Sequence, residues 1–191
     1  YVSCASQATI DYYAFRYSSF LLSRSIGLPP NVTFTGSPTR LTGDCGLPGA
    51  RLPAIDANGH LEIPEGTLMV PNTYYGSSIL KSVHIASTVT LIGDQAFGAC
   101  ANLVNVTFAA NSTLATVGAY AFTGTGIVSL DIPDATRTIV RNAFENCASL
   151  KFVYFDYANS QLTSIGQNAF YNDDSLLGFA IPESVMTVGS Q

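Results

Sequence analysis

The stretch that decides the fold is VTLIGDQAFGACANLVNVTF, residues 89–108. Its central Ala96-Phe97 pair follows Ile92-Gly93 and precedes Leu103, Val106 and Phe108. The pair returns as Ala121-Phe122, Ala143-Phe144 and Ala169-Phe170. Aligned on the aromatic, Val117-Gly118, Ile139-Val140 and Ile165-Gly166 occupy the place of Ile92-Gly93. Three residues further back stand Val89, Leu114, Thr136 and Leu162. Downstream, Leu150, Val153 and Phe155, and then Leu176, Phe179 and Ile181, repeat the spacing after Phe97. The unit around Phe122 is one residue shorter there, with Ile127, Leu130 and Ile132.

That shortened frame also fits VPNTYYGSSILKSVHI when Tyr75 takes the aromatic place and Leu80, Val83 and Ile85 follow. Successive aromatics, from Tyr75 to Phe170, then stand 22, 25, 22 and 26 residues apart. A period of this length marks a solenoid, in which each repeat buries its apolar face only against its neighbours. Leu-x-x-Val-x-Phe alternates around one outward residue, the pattern of a short strand with one buried face. Stacked coils pair such strands in parallel about 4.8 Å apart, and the aromatic plugs the coil interior. The extra residues fall in AANSTLA and DYANSQLT, outside the apolar frame, where a coil can bulge.

These residues resemble the BspA-like leucine-rich repeats, whose pattern is I-G-x-x-A-F-x-x-C-x-x-L-x-x-I-x-I-P. The matching stretches are IGDQAFGACANLVNVTF, VGAYAF followed by LDIP, VRNAFENCASLKFVYF and IGQNAFYNDDSLLGFAIP. Together they cover about residues 61–191. Departures are Val140 for Gly, Thr125 and Asp173 for Cys, and Tyr75 for Phe. The expected fold is an α/β repeat solenoid, a right-handed leucine-rich-repeat superhelix with a short parallel sheet on one face. Residues 58–191 form the array, and DANGHLEIPEGT supplies its opening strand, with Leu61 and Ile63 buried. The array restarts in IPESVMTVGSQ without another Ala-Phe, so the last coil is expected to be incomplete. Residues 1–57 form an irregular segment. Within it IDYYAFRYSSFLLSRSI reads as a degenerate coil or as none, since Arg24 falls on a core position. Residues 28–57 hold five of the nine prolines and suit a loop or cap.

Composition narrows the function classes. Of 191 residues 47% are hydrophobic and the mean hydropathy is +0.27, ample material for a core. Only 11% are charged, against roughly 25% in an average soluble domain. A net charge of −5 with eight scattered Lys and Arg argues against nucleic acid, which needs a basic stripe. No apolar run approaches the roughly 20 residues of a membrane span. Cys100 and Cys147 share one slot two coils apart, about 10 Å by strand spacing, beyond disulfide reach; they are expected as buried thiols. Cys4 and Cys45 lie outside the array and are candidates for a bridge.

The outward strand positions are Glu62, His84, Thr107, Asp131, Tyr154 and Ala180. Glu62 beside His84 suggests an ion pair, yet two histidines without Cys-x-x-Cys spacing make a poor metal site. No Gly-x-Ser-x-Gly elbow, P-loop or dinucleotide fingerprint occurs, so no enzyme activity and no cofactor are expected. The candidate binding surface is therefore His84, Thr107, Asp131, Phe152, Tyr154 and Asp156. Aromatics beside a carboxylate give contact area of the kind enriched in interfaces. Alternatively Phe152 folds back over the coil edge and leaves only Tyr154 wet. Of three sequons, Asn111 in an expanded loop is the candidate glycan acceptor.

The expected role is a non-enzymatic scaffold that binds another protein, with a structural subunit of a larger assembly as the second reading. The resemblance implies a secreted or surface location and adhesion or recognition; a lumenal compartment accompanies the second reading.

Overall fold

In the computed structural model, residues 53–190 are described. They form a parallel β-solenoid of about six turns built from eleven short strands. Four-residue strands β1 (His60–Ile63), β3 (Ser82–Ile85) and β5 (Asn105–Phe108) pair in the order β1-β3-β5. The three-residue strands β7 (Ser129–Asp131) and β9 (Phe152–Tyr154) form a separate pair. Two-residue strands build a second ladder on another side of each coil. They are β2 (Met69–Val70), β4 (Leu91–Ile92), β6 (Thr116–Val117), β8 (Thr138–Ile139), β10 (Ser164–Ile165) and β11 (Thr187–Val188). This ladder is continuous through all six. The coils therefore carry two parallel ladders where one sheet was expected.

Register follows the apolar frame. Leu61 lies against Val83 and Val83 against Val106, while Val70, Ile92, Val117 and Ile139 succeed one another in the second ladder. All of these side chains are buried. Between the ladders runs the aromatic stack. Phe97, Phe122 and Phe144 are fully buried, and the centroid distances from Phe97 through Phe170 are 5.3, 5.3 and 5.2 Å. Planes of Phe122 and Phe144 differ by 3°, so each ring lies nearly flat on the next.

The α part of the expectation fails, because almost no helix is present. The one helical turn among the described residues is a 3-10 turn at Asn72–Tyr74. The reason lies in the backbone flanking each aromatic. Residues two before and two after it adopt left-handed φ: Gln95 and Ala99, Tyr120 and Gly124, Asn142 and Asn146, Asn168 and Asn172. A right-handed helix cannot pass through such alternation. Instead the amides of Gln95, Phe97 and Ala99 point forward to the carbonyls of Ala119, Ala121 and Thr123 in the next coil, at 2.7–2.9 Å. The same three-bond pattern joins the coils of Phe122 and Phe144 to their successors.

The glycine of Ile-Gly serves close approach. A Cβ on Gly118 would lie 2.7 Å from the backbone of Gly93 and Asp94, and one on Gly166 would lie 2.4 Å from the Arg141 amide. Backbone cannot yield there, so these coils stack only without a side chain.

Tyr75 does not hold the aromatic place in the first coil. Tyr74 does: it is 5% exposed and stacks on Phe97 at 5.8 Å, whereas Tyr75 is 54% exposed. Counted from Tyr74, Leu80, Val83 and Ile85 fall on the full spacing seen after Phe97. The missing residue thus lies before the aromatic, in the 3-10 turn. Burial pushes the Tyr74 hydroxyl up to about 12, and that hydroxyl donates to the Pro53 carbonyl at 2.9 Å.

In the coil of Phe122 the missing residue does lie after the aromatic, and the long-strand ladder breaks there, between β5 and β7. In the last coil no long strand forms. Leu177 still donates to the Lys151 carbonyl at 3.2 Å, but Gly178 then turns to φ +105°. Phe179 packs instead on Phe155 and Phe170, at 5.5 and 5.0 Å.

Cys100 and Cys147 are free and buried, as expected. Each thiol donates backward to the carbonyl of the preceding aromatic, Cys100 to Tyr74 at 3.0 Å and Cys147 to Phe122 at 3.1 Å. Burial pushes the Cys147 thiol up to about 11. Cys4, Cys45 and the degenerate-coil reading of residues 10–26 lie outside the described residues.

Three outcomes test this packing. Truncating Phe122 to Ala removes the middle of the stack and should cost about 3–5 kcal/mol in denaturant unfolding. Thr136, fully buried in a slot held elsewhere by Val or Leu, leaves its hydroxyl without a partner. Thr136→Val should therefore raise stability by about 1 kcal/mol. Cys100 and Cys147 should resist a thiol reagent in the native protein and react once it is unfolded.

Candidate binding surface

The long strands present two outward columns of side chains. Pairing of β1 with β3 and of β3 with β5 sets Glu62, His84 and Thr107 side by side, with His60, Ser82 and Asn105 beside them. Pairing of β7 with β9 sets Asp131 against Tyr154 and Ser129 against Phe152. The break between β5 and β7 divides this surface into a histidine-bearing half and an aromatic half.

In the first half the expected pair of Glu62 with His84 does not form. Glu62 turns to His60 on its own strand, 3.3 Å from Nε2, while His60 Nδ1 lies 2.8 Å from the Ser82 hydroxyl. His84 reaches the other way, with Nδ1 at 2.9 Å from the Thr107 hydroxyl, which itself donates to the Val83 carbonyl. A Thr hydroxyl has one proton, so His84 donates from Nδ1. Outward residues on adjacent strands stand close enough for either choice. Two-residue spacing along β1 also puts His60 and Glu62 on the same side of the strand, and that signal was present in the sequence.

Glu62, His60 and Ser82 lie in the order acid, base, hydroxyl. Side chains of His60 and Glu62 are 40% and 60% exposed, and the Ser82 amide is spent on the Gly59 carbonyl. That amide is thus not offered to a developing oxyanion. Among the described residues no group of three or more His, Cys, Asp or Glu is placed to hold a metal ion.

In the second half Phe152 stays on the outward face. It is 38% exposed and stacks on Tyr154, 52% exposed, with centroids 6.0 Å apart and planes 13° from parallel. The strand beneath is anchored by the buried Val153, so the rings stand on a fixed base. Asp131 is exposed beside Tyr154 in the register. Asp156 does not join them. Its carboxylate accepts from the Asn159 side chain and from the amides of Ala158 and Asn159, bonds that hold it below the usual carboxylate range and commit it to the following turn.

Asn111 lies exposed at a turn with φ 57°, and the Thr113 hydroxyl of its sequon donates to the Ser87 carbonyl at 2.7 Å. Away from the strand face, the C-terminal end of the array carries a cleft of about 240 Å³ lined by Phe170, Leu176, Phe179, Ile181 and Val188. Exposed Leu177, Met186 and Val188 lie in the same coil. The sequence reading did not include this patch.

A family model described as the BspA type leucine rich repeat region matches residues 68–191 in six copies. Among solved structures, the chain is similar to the pneumococcal vaccine antigen PcpA, at 26% identity and a TM-score of 0.52, over 58% of this chain and 27% of that one. It is also similar to a leucine-rich repeat protein from Eubacterium ventriosum, at 21% identity and a TM-score of 0.58, over 72% and 43%. The chain thus spans about a quarter to under half of the length of these two proteins. Among curated proteins, none matches the sequence.

The aromatic pair should show measurable coupling. In a double-mutant cycle of Phe152→Ala and Tyr154→Ala, the interaction energy read from denaturant unfolding should be about 0.5 kcal/mol, at the low end for aromatic pairs because both rings are wet.

Proposed function

The chain belongs to the BspA-type leucine-rich-repeat family, and from that premise we propose that it is a non-enzymatic scaffold that holds another protein against its long-strand face. The stacked, exposed Phe152–Tyr154 pair carries this reading. Large rings fixed on a rigid strand lose little freedom on binding and act as interface anchors. Asp131 beside Tyr154 supplies a polar rim, and the low overall charge leaves shape and apolar contact as the main source of affinity. His84 and Thr107 extend the surface across the break. The solenoid supplies what such a surface requires, a repeated face held by a core it does not share.

A secreted or surface-exposed location and a part in adhesion or recognition belong to the same proposal. They are supported by the family and by the similarity to a vaccine antigen. The reading involves no cofactor and no nucleic acid. No helix among the described residues is long and apolar enough to cross a membrane.

A second reading, a subunit held permanently in a larger assembly, is favoured by the exposed Leu177, Ile181, Met186 and Val188 at one end. The two readings place the contact on different residues. Affinity purification of the tagged full chain from its native source, with mass spectrometry, separates them. Under the scaffold reading Phe152→Ser with Tyr154→Ala should lower partner recovery at least about tenfold, while Met186→Asp with Val188→Lys leaves it unchanged. The reverse result would establish the subunit reading.

A further inference from the structure

One slot in the repeat is filled differently in the last coil. Three residues after the aromatic stand Cys100, Thr125, Cys147 and finally Asp173. All four are buried, Asp173 to within 8% exposure. In the earlier coils the slot side chain is a neutral hydrogen-bond donor. Cys100 and Cys147 give their thiol protons to the preceding coil, and the Thr125 hydroxyl lies 3.3 Å from Cys147 Sγ.

Asp173 satisfies half of its own requirement. Oδ1 accepts the Cys147 amide at 2.7 Å, while Oδ2 is buried with no partner. A carboxylate there would leave one charged oxygen unsolvated, whereas a carboxylic acid leaves only a neutral one, as the neutral side chains do elsewhere in the slot. The charged groups acting on Asp173 are Asp174 on its own turn and Glu145 on the preceding coil, both acidic. The Cys147 thiol lies beside it, and no cation among the described residues offsets these charges. From this geometry we infer that Asp173 is a proton-operated latch, closing the coil of residues 168–190 onto the coil before it when neutral and loosening it when ionised.

Burial, with smaller contributions from Asp174 and Glu145, lifts this carboxyl from 3.8 to about 7. In the opened coil the group returns to water and to its ordinary range. The closed coil thus binds the proton more tightly than the open one, so closure is favoured in acid. Stability is full below the open-state value, falls as pH rises, and levels off once pH passes about 7.

Amide exchange on the full chain tests the latch. Met186, Thr187 and Gly189 donate to the Thr163 and Ile165 carbonyls and report whether the coil is closed. After correction for the intrinsic pH dependence of exchange, their protection should fall at least about tenfold between pH 5 and pH 7.5. Protection of Thr116 and Gly118, in the interior, should hold constant. Asp173→Cys restores the donor of the other coils and Asp173→Asn keeps the shape without the charge; either should abolish the fall. Protection that is flat in the unsubstituted protein overturns the inference. So does a fall that persists in the variants, or a carboxyl carbon of Asp173 titrating near 4.

Discussion

Everything in this molecule hangs on a column of aromatic rings lying flat on one another between two parallel hydrogen-bonded ladders. A single coil of some 24 residues encloses too little apolar surface to hold itself closed. Stacking removes both faces of each ring from water, and the ladders fix the spacing at which the rings meet. The interval of 5.2–5.8 Å between centroids exceeds the strand spacing of about 4.8 Å, as a column of slightly offset rings requires. Glycine in the Ile-Gly step is then needed where backbone meets backbone, as at Gly118 and Gly166, and left-handed residues flank each Phe of the stack.

With the interior uniform, individuality is confined to the outward columns and to the ends. The long-strand face divides where one coil is short by a residue. On one side small polar groups and two imidazoles satisfy each other; on the other an aromatic pair is left facing solvent. A repeat whose inward residues are dictated by stacking leaves its outward residues free to be chosen for what they touch. That separation lets one architecture serve as a scaffold for many partners.

The period, the plug and the buried strand positions were legible because large apolar side chains recur there at a fixed spacing. Phe97, Phe122 and Phe144 could be placed from spacing alone. Tyr74 and Tyr75 could not be told apart, since adjacent tyrosines offer the same chemistry and only the position of a one-residue deletion distinguishes them. The second ladder was hidden by its length: two residues such as Met69–Val70 or Leu91–Ile92 are too few for alternation to register. The missing helix, by contrast, had left a trace. Asn142, Asn146, Asn168 and Asn172 recur two residues either side of the aromatic, and asparagine is among the few side chains that tolerate the left-handed region. Partner choice on the surface was the least legible part. His84 had Glu62 and Thr107 within reach, and the decision turned on His60 occupying the carboxylate first.

The hydrogen bonds between coils run in opposing senses. Flanking the two-residue strands, amides point back toward the chain's start, as Gly93 does to Val70 and Gly118 to Ile92. Beside the aromatics they point ahead, as Phe97 does to Ala121. Peptide dipoles along the axis therefore largely cancel, in contrast to an α-helix, whose aligned peptides leave about half a charge at each terminus. The solenoid can lengthen by whole coils without accumulating a field at its tips. Extension is electrically neutral.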